Sequence, residues 1–425
     1  MKFSPLIVAV LAAAPIPGAT AHPGMGDTMR EIERLAARAP KSDHSDGGDG
    51  FNSNQLLGDL RTLSDRSLTR VGSDIKKLLE GRGNPESRER YFGVPAMNSP
   101  RCKQDTCCIW KYISDELQVL FQGDSGRCSK WARYAVRMGF HDAGSWSLAT
   151  ESQGGGADGS IILAGELTRG ENNGLQEMGV VYQQVYDKYH TDLGFDAVTM
   201  ADLIQMGSNI AAVVCPLGPR VRSYVGRKDS SEEAPEGLMP DVRWDAETLI
   251  NLFKDKTIGP EDLVALIGAH TTSQQNHVDG NRAGDPQDST PGVWDVLFYK
   301  ETLGKVRTPD RVFVLPSDLA LAQHPLTKPE FEEFAGNGGG PQRHWNEDYA
   351  RAYIRLSLLG VNNINDLTEC TKVLPQPIEY FRHRDGGRLN KWLQSDDKSR
   401  KSKQISKEIE NGDEITTPEN QIPSP

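Results

Sequence analysis

Arg137 and His141 stand four residues apart in Arg137-Met-Gly-Phe-His141-Asp142, at the end of a stretch with helical periodicity, so both side chains share one helix face. A guanidinium and an imidazole in one cavity suit acid–base cleavage of an oxygen–oxygen bond. The neutral imidazole takes a proton from one oxygen and delivers it to the other, while the fixed cation stabilises charge on the departing oxygen. A solvated helix face is the bland alternative for such a pair.

Oxygen ligands for a hard cation occur twice. Asp142, with Gly154-Gly-Gly-Ala-Asp158-Gly-Ser160, offers two carboxylates, a hydroxyl and backbone carbonyls, the donor set calcium favours; a flexible glycine loop is the alternative. Asp288-Ser-Thr290-Pro-Gly-Val293-Trp-Asp295 repeats that chemistry beside Thr271. Between the two clusters, Ile267-Gly-Ala-His270-Thr271 sets a histidine at the end of an apolar helix. Its imidazole could bind haem iron from the side opposite His141, or be a satisfied core histidine.

These residues require a helical frame. From about 101 to 380 the chain shows repeated 3.6-residue periodicity and almost no sustained alternation, which predicts a mainly α fold. Ile109, Ile113, Leu117 and Leu120 recur on one face, Ala201 to Val214 forms a second apolar helix, and Pro260, Glu261 and Asp262 open a third that runs to His270. No internal repeat marks a solenoid. Residues 22–100 carry only short helical patterns, at Leu56 to Leu63 and Ile75 to Leu79, and read as a pro-segment or loosely attached extension. Residues 381–425 turn strongly polar, with Lys398 to Lys403 and a Thr/Pro-rich end, and are expected to be a disordered tail.

The 425 residues suffice for a sizeable core. Charge is 48 − 59 = −11, which disfavours nucleic acid and anionic membranes as partners. Lys2, the apolar run Leu6 to Ala14, and Ala19-Thr20-Ala21 have the form of a secretory signal peptide over residues 1–21. The run is too short for a membrane span. Cys102, Cys107, Cys108, Cys128, Cys215 and Cys370 form an even set that fits three disulfides in an oxidising compartment, and sequence alone leaves their pairing open. No Asn-x-Ser/Thr sequon occurs.

Distal pair, oxygen cluster, histidine, oxygen cluster: in this order the chain from about 101 to 380 resembles the plant, fungal and bacterial haem peroxidases. It is most similar to the secreted fungal lignin-modifying, class II enzymes, since Phe140 stands where intracellular relatives carry Trp. The resemblance implies a two-lobed helical fold with haem b between distal and proximal halves, and two Ca2+. It implies Arg137 and His141 as the distal pair, Glu166 and Asn172 holding His141 in its productive tautomer, and Phe140 packing over the haem. It implies His270 as iron ligand, with Asp318 accepting its other ring proton. Distal calcium would take Asp142, Gly156, Asp158 and Ser160; proximal calcium would take Thr271, Asp288, Thr290, Val293 and Asp295, with Gly156 and Val293 acting through carbonyls. Disulfides Cys102–Cys108, Cys107–Cys370 and Cys128–Cys215 follow from the same likeness.

Departures from the family pattern narrow the expected donor. Where manganese-oxidising relatives have three carboxylates, this chain has Lys130, Tyr134 and Asn276, and Ala265 takes the place of a surface Trp used in long-range electron transfer. Gln287 replaces an aromatic residue near the proximal histidine, making that pocket more polar. The expectation is a secreted, monomeric peroxidase that reduces hydrogen peroxide and oxidises small phenolic or aromatic reductants. The rivals are a calcium-stabilised haem-binding protein without turnover, and a peroxidase with another metal-donor or radical site, for which Trp146 and Trp345 are candidates.

Overall fold

The computed structural model describes residues 54–422. The expected signal peptide and the extension up to residue 53 lie outside the described residues. The fold is mainly α, as the periodicity predicts. Strand pairing among the described residues is limited to two antiparallel pairs, Tyr224–Val225 with Thr368–Glu369 and Gln274–Gln275 with Asp285–Pro286, and two isolated bridges.

Helix α1 spans Arg70–Leu79, α2 Thr106–Phe121, α3 Lys130–Ala143 and α4 Met200–Val214. Every residue of α4 is buried, and polar side chains on it are paired there: Asp202 accepts from Arg227 at 2.9 Å, Gln205 donates to the Gly139 carbonyl at 3.1 Å and Asn209 donates to Ser223 Oγ at 2.8 Å. It packs more extensively on α3 than on any other element, so the Arg137/His141 helix rests against a central pillar. Ile109, Ile113 and Leu117 bury one face of α2 against the same pillar.

Helix α5 begins at Pro260, with Glu261 and Asp262 in its first turn where acidic groups suit the dipole, and ends at Ile267. The single helix expected to reach His270 instead tightens into a 3-10 turn over Gly268–Thr272. The chain passes so close to its neighbours at Gly268 that an added Cβ would lie 2.2 Å from the Tyr299 hydroxyl and 2.6 Å from the Trp345 ring. Helices α6 (Pro316–Gln323), α7 (Lys328–Phe334) and α8 (Gly340–Leu356) complete this half. The disulfides are Cys102–Cys108, Cys107–Cys370 and Cys128–Cys215, the pairing the resemblance implies; the second ties α2 to a residue 263 positions away.

Two expectations need correction. Residues 54–79 are not loosely attached: Leu57, Leu60, Ile75, Leu78 and Leu79 belong to the main apolar core, and the Thr69 amide donates to Asn365 Oδ1 at 2.8 Å. Nor is the segment after 381 disordered. It forms α9 (Gly386–Leu393) and α10 (Arg400–Asn411), and Leu389, Trp392, Leu393, Ile405, Ile409, Ile415 and Ile422 bury one another. The apolar residues of α10 come only once per turn among Lys, Ser and Glu, so a low mean hydropathy hides a one-sided helix.

Charge docks this segment onto the rest. Arg127 and Asp385, both fully buried, pair through two hydrogen bonds, one of 3.0 Å, and Arg127 also donates to the Asp413 carbonyl at 3.3 Å. Arg311 lies 4.6 Å over the Trp392 ring and donates to the Trp392 carbonyl and Ser402 Oγ, each at 2.8 Å. Removing one partner of a buried pair strands the other charge. Asp385→Ala should therefore lower unfolding free energy by about 3–5 kcal/mol in a urea titration; a loss below about 1 kcal/mol, the range of exposed pairs, would show that the pair does not anchor the segment.

Candidate active site

On α3, Arg137 and His141 project together as their spacing predicts. Arg137 donates to the Asn173 carbonyl at 2.7 Å and to the Glu171 carbonyl at 2.9 Å, contacts that fix the guanidinium without neutralising it. Burial lowers its pKa to about 10, so it remains a cation. His141 Nδ1 lies 2.8 Å from Asn172 Oδ1, and Asn172 Nδ2 donates to the Glu166 main-chain carbonyl at 2.9 Å. With the amide oxygen thus turned to the imidazole, Nδ1 carries the proton and Nε2 is the free base. Burial, reinforced by the Arg137 charge, pulls the His141 pKa down to about 3, although the Asn172 bond opposes this.

Glu166 acts on Asn172 through its backbone. Its carboxylate is engaged elsewhere, accepting from the Ala234 amide at 2.8 Å and from Arg169 at 3.3 Å. Neither Arg169 nor Phe253, whose ring stacks on Phe140 at 5.9 Å, carries a sequence signal; both reach the site only through tertiary folding. Phe140 also meets His141 edge-on at 5.6 Å, forming an apolar wall.

His270 stands in the 3-10 turn after α5. Its Nδ1 is 3.0 Å from Asp318 Oδ2, on α6, which leaves Nε2 free. Burial works against protonation of His270, but the Asp318 charge and hydrogen bond outweigh it and raise the pKa. The Arg137 charge is felt at His270 as well as at His141, so both histidines lie within reach of the same guanidinium. A third of the His270 side chain is uncovered (34%). Phe298 closes its edge at 5.9 Å. Two Nε2 atoms without a hydrogen-bond partner among the described residues, the Phe140 and Phe298 rings and a fixed cation are donor and wall chemistry that an iron porphyrin could use.

Each histidine adjoins a nest of buried oxygens. Behind His141, Asp142 Oδ1 and Ser160 Oγ have no hydrogen-bond partner among the described residues, and Asp158 accepts from the Ser160 amide at 3.0 Å. Burial and then the Asp158 charge raise the Asp142 pKa well above the carboxylate range. Gly156 (φ 108°) is obligatory in this loop, since a Cβ would lie 2.3 Å from the Leu359 carbonyl. Ser145, not singled out in the sequence, braces the turn by donating to the Asp142 carbonyl at 2.6 Å and accepting from the Gly156 amide at 2.9 Å.

Behind His270, Thr271 donates to Asp288 and, at 3.3 Å, to the Val293 carbonyl; Thr290 Oγ1 lies 3.2 Å from both Asp288 and Asp295. Burial and the neighbouring carboxylates push Asp288 far up, and burial pushes Asp295 up to about 6. Buried carboxylates that repel one another, with donor oxygens converging on them, are the environment a hard cation relieves.

The positions that differ from the family pattern are equally definite. Lys130 pairs with Glu177 at 2.8 Å and lies over Trp131, Tyr134 faces Glu410 of α10, and Asn276 is exposed. Ala265 is fully buried, its carbonyl accepting from Trp345 Nε1 at 2.9 Å. Trp146 and Trp345, the candidate radical sites, are buried too, so neither offers a surface ring. Gln287 accepts from Ser273 Oγ at 2.8 Å, and that hydroxyl also contacts the His270 carbonyl, which makes this side of the slot polar.

The family model described as Peroxidase matches residues 115–337. Ligninase C of Trametes versicolor is 33% identical over 301 residues, covering 65% of this chain and 77% of its own. Ligninase H2 of Phanerodontia chrysosporium is 32% identical over 64% of this chain and 75% of its own, and a low-redox potential peroxidase of Taiwanofungus camphoratus is 32% identical over 63% and 83%. The chain belongs to the peroxidase family, as a class II haem peroxidase of the fungal lignin-modifying type. It is an oxidoreductase that uses hydrogen peroxide to oxidise aromatic substrates, with haem iron as its cofactor.

Proposed function

We propose that this is an extracellular, monomeric, calcium-stabilised haem b peroxidase that takes single electrons from small phenolic and aromatic donors at the haem edge. The observation carrying the reading is the pair of imidazoles with matched tautomers and opposed electrostatics: His141 kept neutral beside Arg137, His270 tied to Asp318. When bound, the haem iron supplies peroxide reduction and one-electron oxidation. His270 would hold the iron through Nε2, and Asp318, by accepting the Nδ1 proton, would make that nitrogen a stronger donor.

His141 accepts a proton from hydrogen peroxide at Nε2 and returns it to the oxygen that leaves as water. Arg137 stabilises the charge on that oxygen, and its carbonyl contacts keep it in place. Asn172, oriented by the Glu166 carbonyl, holds the tautomer. Phe140, stacked on Phe253 and edge-on to His141, would supply apolar cover for a bound porphyrin.

Calcium is the proposed occupant of both oxygen nests: Asp142, Asp158, Ser160 and the Gly156 carbonyl on the distal side, and Thr271, Asp288, Thr290, Asp295 and the Val293 carbonyl on the proximal side. All-oxygen donors and unpartnered buried atoms support this over a transition metal. A small-donor role is supported by Lys130 and Tyr134 at the manganese positions and by the buried Ala265. The likeness to a low-redox potential peroxidase agrees. The amino-terminal signal pattern and three disulfides support export.

Stopped-flow measurement of the haem-loaded enzyme's reaction with peroxide tests the mechanism. With its pKa near 3, His141 is unprotonated throughout, so the rate should be level from neutral pH down to about 4. His141→Leu should reduce it by about 10²–10⁴-fold; an unchanged rate would remove His141 from the reaction.

Chelation tests the cations. A carboxylate whose folded pKa is raised is stabilised by protonation, so the calcium-free protein gains stability as pH falls through about 6, the Asp295 value, while protons displace calcium from the loaded protein. Scanning calorimetry should show chelation lowering Tm at neutral pH, and the gap narrowing on acidification. No gap at neutral pH, or one that widens with acid, contradicts calcium at these nests.

A further inference from the structure

On the flank of the proximal half, α7 and α8 pack against each other across a glycine-rich turn at 335–339. His344 and Asp348, four apart on α8, share a face, and Glu330 of α7 meets them there. One ligating atom from each of the three lies within 4.8 Å of the other two. His344 Nε2 is 2.9 Å from Asp348 Oδ2, while Nδ1 faces Glu333 Oε2 at 3.5 Å. A carboxylate on the far ring nitrogen is what fixes an imidazole for metal ligation.

Local charge is out of balance at this point. The Glu330 side chain makes no hydrogen bond or ion pair with any described residue, and the carboxylates whose charges reach it are those of Asp348, Glu261, Glu333 and Asp262. Arg351, whose charge reaches Asp348, donates to the Gly83 carbonyl and to Glu347, and Arg355 donates to the Gln55 and Leu79 carbonyls. The His344 contacts are with Asp348 and Glu333, and neither ring nitrogen pairs with Glu330.

We infer that Glu330, His344 and Asp348 form a binding site for a divalent transition-metal cation of the zinc type, clamping α7 to α8. Two carboxylates and one imidazole are a borderline donor set that suits such a cation, and three protein ligands leave a fourth position to water. A single cation also offsets the charge that His344 alone leaves at Glu330. The site is separate from the haem slot and from both oxygen nests, and it stands or falls independently of the proposed peroxidase mechanism.

The test is calorimetric titration of zinc chloride into untagged, haem-loaded protein in saturating calcium, which keeps the oxygen nests filled. One equivalent of zinc should bind and raise Tm. Glu330→Gln and His344→Ala should each weaken that binding by at least about 10-fold and remove the Tm increase. Glu330→Gln keeps side-chain size, so it decides the matter even if His344→Ala folds poorly. Failure of the wild type to bind zinc in the micromolar range, or equal affinity in Glu330→Gln, would overturn the site.

Discussion

Everything in this molecule turns on the space shared by His141 and His270. Both rings have Nδ1 occupied and Nε2 free, but the partners differ in kind. Asn172 offers a neutral oxygen and leaves His141 under the field of Arg137; Asp318 offers a full negative charge and makes His270 basic. The same side chain is thus made weakly basic at one position and basic at the other, the contrast that the proposed division into proton carrier and iron ligand requires. The contrast rests on two short-range contacts, each anchored in its own element.

The scaffold reads as a device for keeping those contacts fixed. The fully buried α4 packs on α3, and the close passage at Gly268 lets the turn bearing His270 lie against Tyr299 and Trp345. The oxygen nests sit directly after the two histidines in sequence, at Asp142 and Thr271, so order in each nest passes straight to the ring beside it. Polar connections carry the same logic, since Ser145 braces the distal loop and Gln287, through Ser273, reaches the His270 carbonyl.

Much of this was legible in the sequence because it depends on short spacings. The i, i+4 relation of Arg137 and His141, the Gly-rich run to Ser160 and the Asp288–Asp295 cluster are local patterns, and the structure brings each together at the expected place. Connections between distant segments were legible only through resemblance, as with Asp318 and the Cys107–Cys370 bridge. What escaped was burial achieved by few apolar residues. Ile405 and Ile409 sit in a lysine-rich helix, and Arg127 becomes a core residue only because Asp385, 258 positions on, meets it. Composition recorded polarity there, and tertiary pairing reversed its meaning. The short patterns at 56–63 and 75–79 failed in the same way, their leucines finding partners in the main core.

A crystal structure of the haem-loaded protein is the most direct measurement of the central claim. The account predicts iron bound to Nε2 of His270, with Asp318 still on Nδ1 and the Nε2 of His141 unligated on the opposite face. Iron bound to His141, or held without a nitrogen from His270, would contradict it.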